Sequence, residues 1–369
     1  MRLGNVPNKM RTLERYGLLR ILVLRKNTIY MTHHQTTIID IARQLGLSKS
    51  TVSRALTNHP HVNADTRQRV LELAESLDYQ RNQLAISLLT SRTRTVGIMI
   101  PEFLSFFFPK VIIGAQVVLA EAGYNVIICH SNESYATEVT NAQALLASRV
   151  DGLIVSHTKE TRNFDHFRVF ERRHVPVVFF NRVCEDMAVS KVTVDDYDGA
   201  FRAVEHLIAT GKKRIAHLAG PDSLQNSRNR LNGYRDALQQ HGLPINNELI
   251  ISYDLNLDKA KIYVSHLMNL PDPPDALFAM NDPTAIEAMK VLKSRGFRIP
   301  DDVAVVGFSN DPASMLIEPG LTTVAQPVDE IGRQAAQLLL NQLTDNKGGM
   351  ATENIVLQTE LIIRGSTTG

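Results

Sequence analysis

Apolar residues recur at helical spacing in three short stretches near the front of the chain. Ile38, Ile41, Ala42 and Leu45 form one stripe, Val52 and Leu56 a second, and Val70, Leu73, Ala74 and Leu77 a third. Spacings of three and four place such residues on one face of a helix. Polar residues punctuate the stripes. Thr37, with Asp40 three residues on, suits the start of the first helix; Ser48 suits the second and Asn63 the third. Each offers an oxygen to backbone N–H groups that a helix start leaves unpaired. Gly46 ends the first helix where a left-handed backbone is cheap, and Leu47 is expected to point back into the core. Ala42 is small enough to let the second helix approach closely. The pattern predicts an all-α helix-turn-helix unit over 36–80.

From Thr95 the period changes. Short apolar runs alternate with longer helical patterns: VGIMIP, FPKVIIGAQVVLAEAG, YNVIICHS, TNAQALLASRV, DGLIVS and VPVVFFNR. A second series is read from near Val192, opening with KVTVDD and closing with DVAVVGFSND. Repeated β-α-β predicts parallel sheets covered by helices, here as two lobes over 95–366 with a cleft between them. In open parallel sheets, ligands sit beyond the carboxyl ends of the strands. Asn181-Arg182, Asp195-Asp196, Asn281-Asp282 and Ser309-Asn310-Asp311 each follow an apolar run. Any one of these is an ordinary loop-starting Asn or Asp; several at successive strand ends suggest a site.

The outer side of the second helix carries Lys49, Ser50, Ser53, Arg54 and Thr57. On an isolated helix this would be a solvated face. On the second helix of a helix-turn-helix it suits a major groove, with Arg matched to guanine and Lys or Ser to base edges or phosphates. Charge supports this without carrying it. The chain is +2 overall, yet residues 1–94 hold 15 Lys and Arg against 6 Asp and Glu, and the remainder 25 against 32. Within 36–94 the balance is only 8 against 5.

The stretch resembles the headpiece of the LacI/GalR family of bacterial transcription regulators. The likeness rests on Asp40-Ile41-Ala42, Gly46-Leu47-Ser48, Thr51-Val52-Ser53-Arg54, Val62, Thr66-Arg67, Val70, Leu77-Asp78-Tyr79 and Asn82. It implies base reading by Lys49, Ser50 and Arg54, with Thr37, Ser48, Thr51 and Ser53 positioning the duplex backbone. It also implies a hinge helix over 81–94, ordered when two copies meet on DNA. There Leu88 would wedge into the minor groove, flanked by the matching Asn82 and Ala85. Arg81 stands where the family often has Pro, so the hinge entry is less fixed. A flexible basic linker is the plainer reading of the same segment.

The trunk resembles the family's effector domain, itself similar to periplasmic sugar-binding proteins. Asp151-Gly152-Leu153-Ile154, Val204-Glu205-His206-Leu207, Gly233-Tyr234, Gly307-Phe308, Leu321-Thr322-Thr323-Val324 and Arg364-Gly365-Ser366 carry this likeness. It implies an effector pocket containing Phe107, Phe108, Arg182, Arg230, Asn281 and Ser309. The aromatic pair would stack on a sugar or base face, and Arg230 would fork onto hydroxyls or a carboxylate. Ser309 replaces the Asp common in sugar-binding relatives. A neutral hexose is therefore in doubt, and an anionic or less hydroxylated ligand gains ground; a sugar or sugar acid is the expected effector class.

The expected function is sequence-specific DNA binding, controlled by a small molecule between the lobes, with repression as the expected sign. A homodimer on a near-palindromic operator follows from the family symmetry, and the family's long tetramerisation tail is not seen before Gly369. A solute receptor would share the trunk but not the headpiece. An α/β enzyme would need a phosphate-cradling loop, nucleophile elbow or zinc spacing, none of which is found. No cofactor or metal is expected; His33-His34 and His59-Pro60-His61 read as loops. Cys129 and Cys184 lie at or near apparent strands, and a reducing cytoplasm is the simple inference. The apolar run Leu18–Leu24 is too short to span a membrane. Residues 1–35 fall outside the likeness and are read as an extension, untranslated or disordered, with initiation expected at Met31.

Overall fold

The computed structural model describes residues 36–80, 92–344 and 352–368. The chain divides into two units between Ile86 and Ser87. The first holds helices α1 (Ile38–Leu45), α2 (Lys49–Leu56) and α3 (Ala64–Ser76). They close on a core of Ile41, Ala42, Val52, Ala55, Val62, Val70 and Ala74. The sequence-predicted caps are present. Thr37 accepts from the Asp40 N–H while the Asp40 carboxylate accepts from the Thr37 N–H at 2.9 Å. Ser48 and Asn63 accept from the N–H groups of Thr51 and Asp65. Gly46 is left-handed at φ 64°. One detail differs: Ala55 is buried beside Val52, while Leu56 is half-buried. The buried arc of α2 turns toward the i+3 neighbour because α2 packs against both α1 and α3.

The second unit begins with β1 (Thr95–Ile100), α4 (Phe107–Glu121), β2 (Asn125–His130), α5 (Tyr135–Ala147), β3 (Gly152–Val155), α6 (Asp165–Arg172), β4 (Val177–Phe180) and β5 (Ser190–Val194). The second lobe follows: α7 (Asp196–Ala209), β6 (Ile215–Ala219), α8 (Gln225–Gln240), β7 (Ile250–Ser252), α9 (Leu257–Leu267), β8 (Ala276–Ala279), α10 (Asp282–Ser294), β9 (Ala304–Ser309), α11 (Ala313–Leu316) and β10 (Thr322–Ala325). The chain ends with α12 (Val328–Thr344), β11 (Asn354–Leu357) and β12 (Glu360–Ile362). The sheet orders are β11-β5-β4-β3-β1-β2 and β12-β10-β9-β8-β6-β7. Pairing is parallel except between β10 and β12.

Two features depart from the sequence reading. The KVTVDD strand opens no second lobe: it is β5, paired with β4 in the first sheet with Phe180 opposite Val192. And the lobes are not consecutive in sequence. The chain crosses after β5, returns after β10, and crosses again between β11 and β12. Periodicity shows that a segment is a strand but not which strand it pairs with, so a strand at a crossing carries no local mark of its lobe.

The return is fixed by close contact between α4 and α12. A Cβ at Gly114 would lie 2.2 Å from the Asp329 carbonyl oxygen, and one at Gly332 would lie 2.0 Å from that of Val111. The two backbones touch where neither has a side chain. Gly332→Ala is expected to push α12 off the first lobe and destabilise it by about 1–3 kcal/mol, the usual cost of overpacking. Urea unfolding of the full-length protein measures this; an unchanged midpoint would mean the helix pair shifts freely.

Candidate nucleic-acid face and the cleft between the lobes

Helix α2 buries Val52 and Ala55 and leaves Ser48, Lys49, Ser50, Arg54 and Thr57 exposed, with Thr51 and Ser53 half-buried. The headpiece ion pair, Arg43 with Asp40 at 3.6 Å, leaves Lys49 and Arg54 without a carboxylate partner among the described residues. Two uncompensated cations thus stand on the exposed face of a capped helix. Around its start, Ser48 Oγ lies 2.8 Å from both Ser50 Oγ and Thr51 Oγ1. Thr57 is less available. Its hydroxyl donates to the carbonyls of Ser53 and Arg54 at 3.0 and 3.1 Å, closing the last turn. Arg67 Nη2 donates to the carbonyls of His59 and Val62, fixing the loop between α2 and α3. Thr37, at the start of α1, is exposed. Asn82, Ala85 and Leu88, with Arg81, lie outside the described residues.

The second site lies beyond the carboxyl ends of both sheets. Phe107, Phe108, Arg182, Arg230, Asn281 and Ser309 line one cleft together with Glu102, Phe106, Asn181, Asn226, Asp311 and Gln326. Counted out to its open mouth, the space is about 630 Å³. Phe107 and Phe108 are 7% and 4% exposed and pack edge-on to each other in the core of the first lobe. They are walls more than stacking platforms; the more open ring is Phe106, at 38%.

Both arginines are committed within the protein. Arg230 donates from Nε and Nη2 to Asp196 Oδ1, at 2.8 and 2.7 Å, and from Nη1 to the Met280 carbonyl at 2.5 Å. Its guanidinium lies 3.6 Å over the Phe308 ring. Burial pushes the Asp196 carboxyl up, and Arg230 opposes that by favouring the charged form. Arg182 Nη1 donates to both Glu133 oxygens, at 2.9 and 3.0 Å. The Arg230 fork is therefore occupied, whereas Arg182 uses only Nη1 and its Nε and Nη2 have no hydrogen-bond partner among the described residues.

Asn281 caps α10. Its Oδ1 accepts from the Thr284 N–H at 3.0 Å, so its amide NH₂ is the part available to the cleft. Ser309, at φ 127°, accepts from Gln326 Nε2 at 3.0 Å. The carboxylate missing at this position is supplied two residues later by Asp311, whose N–H is held by the Asp282 carboxylate at 2.6 Å. Burial pushes Asp282 up to about 6, although it also accepts from the Thr323 hydroxyl at 2.6 Å. Glu102 and Asp311 line the cleft, while each arginine is already paired with a carboxylate.

Asp311 and Asn181 stood in the strand-end phrases of the sequence, and Gln326 ends an apolar run in the same way. Asn226, on a helix, gave no such signal. Asn226 Oδ1 and Gln326 Oε1 are buried without a partner among the described residues, leaving acceptors for a donor-bearing ligand. Among the described residues no group of three or more His, Cys, Asp or Glu could hold a metal ion. No described helix is long and apolar enough to cross a membrane.

Known proteins share both parts. The family described as bacterial regulatory proteins, lacI family, matches residues 37–82, and a periplasmic binding protein-like domain matches 204–367. The HTH-type transcriptional repressor CytR of Escherichia coli (strain K12) is 32% identical over 331 residues, 90% of this chain and 96% of that protein. Catabolite control protein A of Priestia megaterium is 31% identical over 332 residues, 90% of this chain and 99% of its own. Among solved structures, the lac repressor dimer bound to operator and the anti-inducer ONPF has a TM-score of 0.80 at 26% identity, covering 90% of this chain and 99% of that one. The transcriptional regulator CelR–cellobiose complex has a TM-score of 0.69 at 30% identity with the same coverage. The helix-turn-helix and the two-lobed trunk lie in the order these relatives share along nearly their full length, and the chain belongs to the lacI family of bacterial regulatory proteins.

Proposed function

We propose that this protein is a repressor whose hold on a near-palindromic operator is set by a small molecule bound between its lobes. The observation that carries this reading is the exposed Lys49 and Arg54 on α2, without a carboxylate partner among the described residues, in a chain that also builds a polar cleft between its lobes. Lys49, Ser50 and Arg54 read bases; Thr37, Ser48, Thr51 and Ser53 position the duplex backbone. The hinge role assigned to 81–94, with Leu88 as its wedge, belongs to this proposal; residues 81–91 lie outside the described residues. The protein acts in the cytoplasm and catalyses no reaction.

Two copies work together. Ile113 and Val117 on α4, with Ile127 and Ile128 on the edge strand β2, are exposed large apolar residues on the first lobe. They supply an isologous pairing face that places two headpieces on one duplex. The effector is a sugar or sugar acid whose hydroxyls donate to Asn226 Oδ1 and Gln326 Oε1, beside Nε and Nη2 of Arg182, which are unpaired among the described residues. It acts through its differential affinity for two lobe angles.

The test is to select duplexes from a random pool and then titrate the best one with protein in the presence of sugars, sugar acids and nucleosides. At least one sugar or sugar acid should change operator affinity by about 5- to 150-fold. A selected operator whose affinity no compound changes would refute effector control while leaving DNA binding intact.

A further inference from the structure

Away from the cleft lining, the two lobes are joined by four hydrogen bonds, two between side chains and two from a side chain to a backbone carbonyl. Glu185, past β4 in the first lobe, accepts from two residues at the start of α8 in the second: Arg228 Nη2 at 2.5 Å and Gln225 Nε2 at 2.9 Å. Arg228 is aimed from its own lobe, since Nη1 donates to the Asp222 carbonyl at 2.8 Å. Lys159, past β3, donates from Nζ to the Asp254 carbonyl at 2.8 Å, and its own carbonyl accepts from Ser223 Oγ at 3.0 Å. Lys159, Glu185, Ser223, Gln225 and Arg228 are all absent from the cleft lining.

We infer that these five residues, with the Asp254 carbonyl, form a clasp that sets the resting angle between the lobes before any ligand arrives. The four cross-lobe bonds share one requirement, because each closes only when β3 and β4 of one lobe face β6 and β7 of the other at this separation. Opening the lobes breaks them together. The Glu185–Arg228 pair is half-exposed, with side chains 54% and 41% accessible, so water and salt screen it. The clasp is accordingly a weak bias, able to shift the population of two lobe angles without locking either. A ligand in the cleft then works against or with this bias, and clasp residues tune the response without touching the ligand.

The inference rests on lobe geometry and does not require the regulatory reading. It is tested by hydrogen–deuterium exchange of the full-length protein with neither DNA nor ligand. Glu185→Arg and Arg228→Glu should each speed exchange of the cleft amides in 280–283 and 309–311, which the substitutions do not touch, on the order of two- to fivefold. Central amides of β3 and β8 should be unaffected. Combining the two substitutions restores opposite charges and should return the cleft amides to their original rate. Unchanged rates in the single variants, acceleration extending into β3 and β8, or a double variant as fast as the singles would each overturn the clasp.

Discussion

Arg54→Ala is expected to weaken binding to the preferred duplex by about 1–3 kcal/mol, on the order of 5- to 150-fold, while binding to unrelated duplexes falls much less. The side chain is exposed on α2 and has no carboxylate partner among the described residues, so its removal leaves no buried group stranded. Alanine also suits a helix interior. The headpiece core of Ile41, Val52, Ala55 and Val70 does not use it. The loss should therefore appear in base discrimination and not in stability. Competition between the preferred duplex and single-base variants measures it. If affinity instead fell uniformly across sequences, with the salt slope smaller by about one, Arg54 would be a phosphate contact and the base-reading role would pass to Lys49 and Ser50.

Arg230→Ala is expected to act twice. Arg230 and Asp196 are each 3% exposed and form a buried pair, with burial pushing the Asp196 carboxyl up and Arg230 opposing that. Removing one member of such a pair strands the other and costs about 3–5 kcal/mol. The second unit should unfold at markedly lower urea, while the headpiece, with its own core, keeps its duplex preference under mild conditions. The response to effector should also be lost. Arg230→Met with Asp196→Leu separates the two effects. An apolar pair of similar volume should recover most of the stability but not the response. Full recovery of the response would remove Arg230 from ligand contact, and an unchanged urea midpoint for Arg230→Ala would contradict the buried pair.

The headpiece was almost wholly legible in the sequence because its determinants are local. Thr37, Gly46, Ser48 and Asn63 act within a few residues of their own positions, and all four do what their types predict. The trunk was legible as alternating elements but not as connections. β5 reads as an ordinary apolar strand, and nothing in SKVTV says that it closes the first sheet and not the second. The same limit applies to the cleft. Arg182, Asn281 and Ser309 were visible as strand-end residues and Arg230, inside α8, only through the family likeness; the fold brings all four to one cleft. Their partners were not visible. Asp196 lies 34 residues from Arg230 and Glu133 49 from Arg182, and only the fold reveals that each arginine arrives neutralised. That pairing, more than the identity of any one lining residue, decides what charge a ligand can bring.

The most direct measurement is the affinity of the purified full-length protein for its best selected duplex against excess bulk DNA at moderate salt. A sequence-reading α2 working in pairs predicts a preference on the order of 10³-fold or more, falling steeply when either half of the near-palindrome is scrambled. Equal binding to every duplex, with and without candidate effectors, would contradict it.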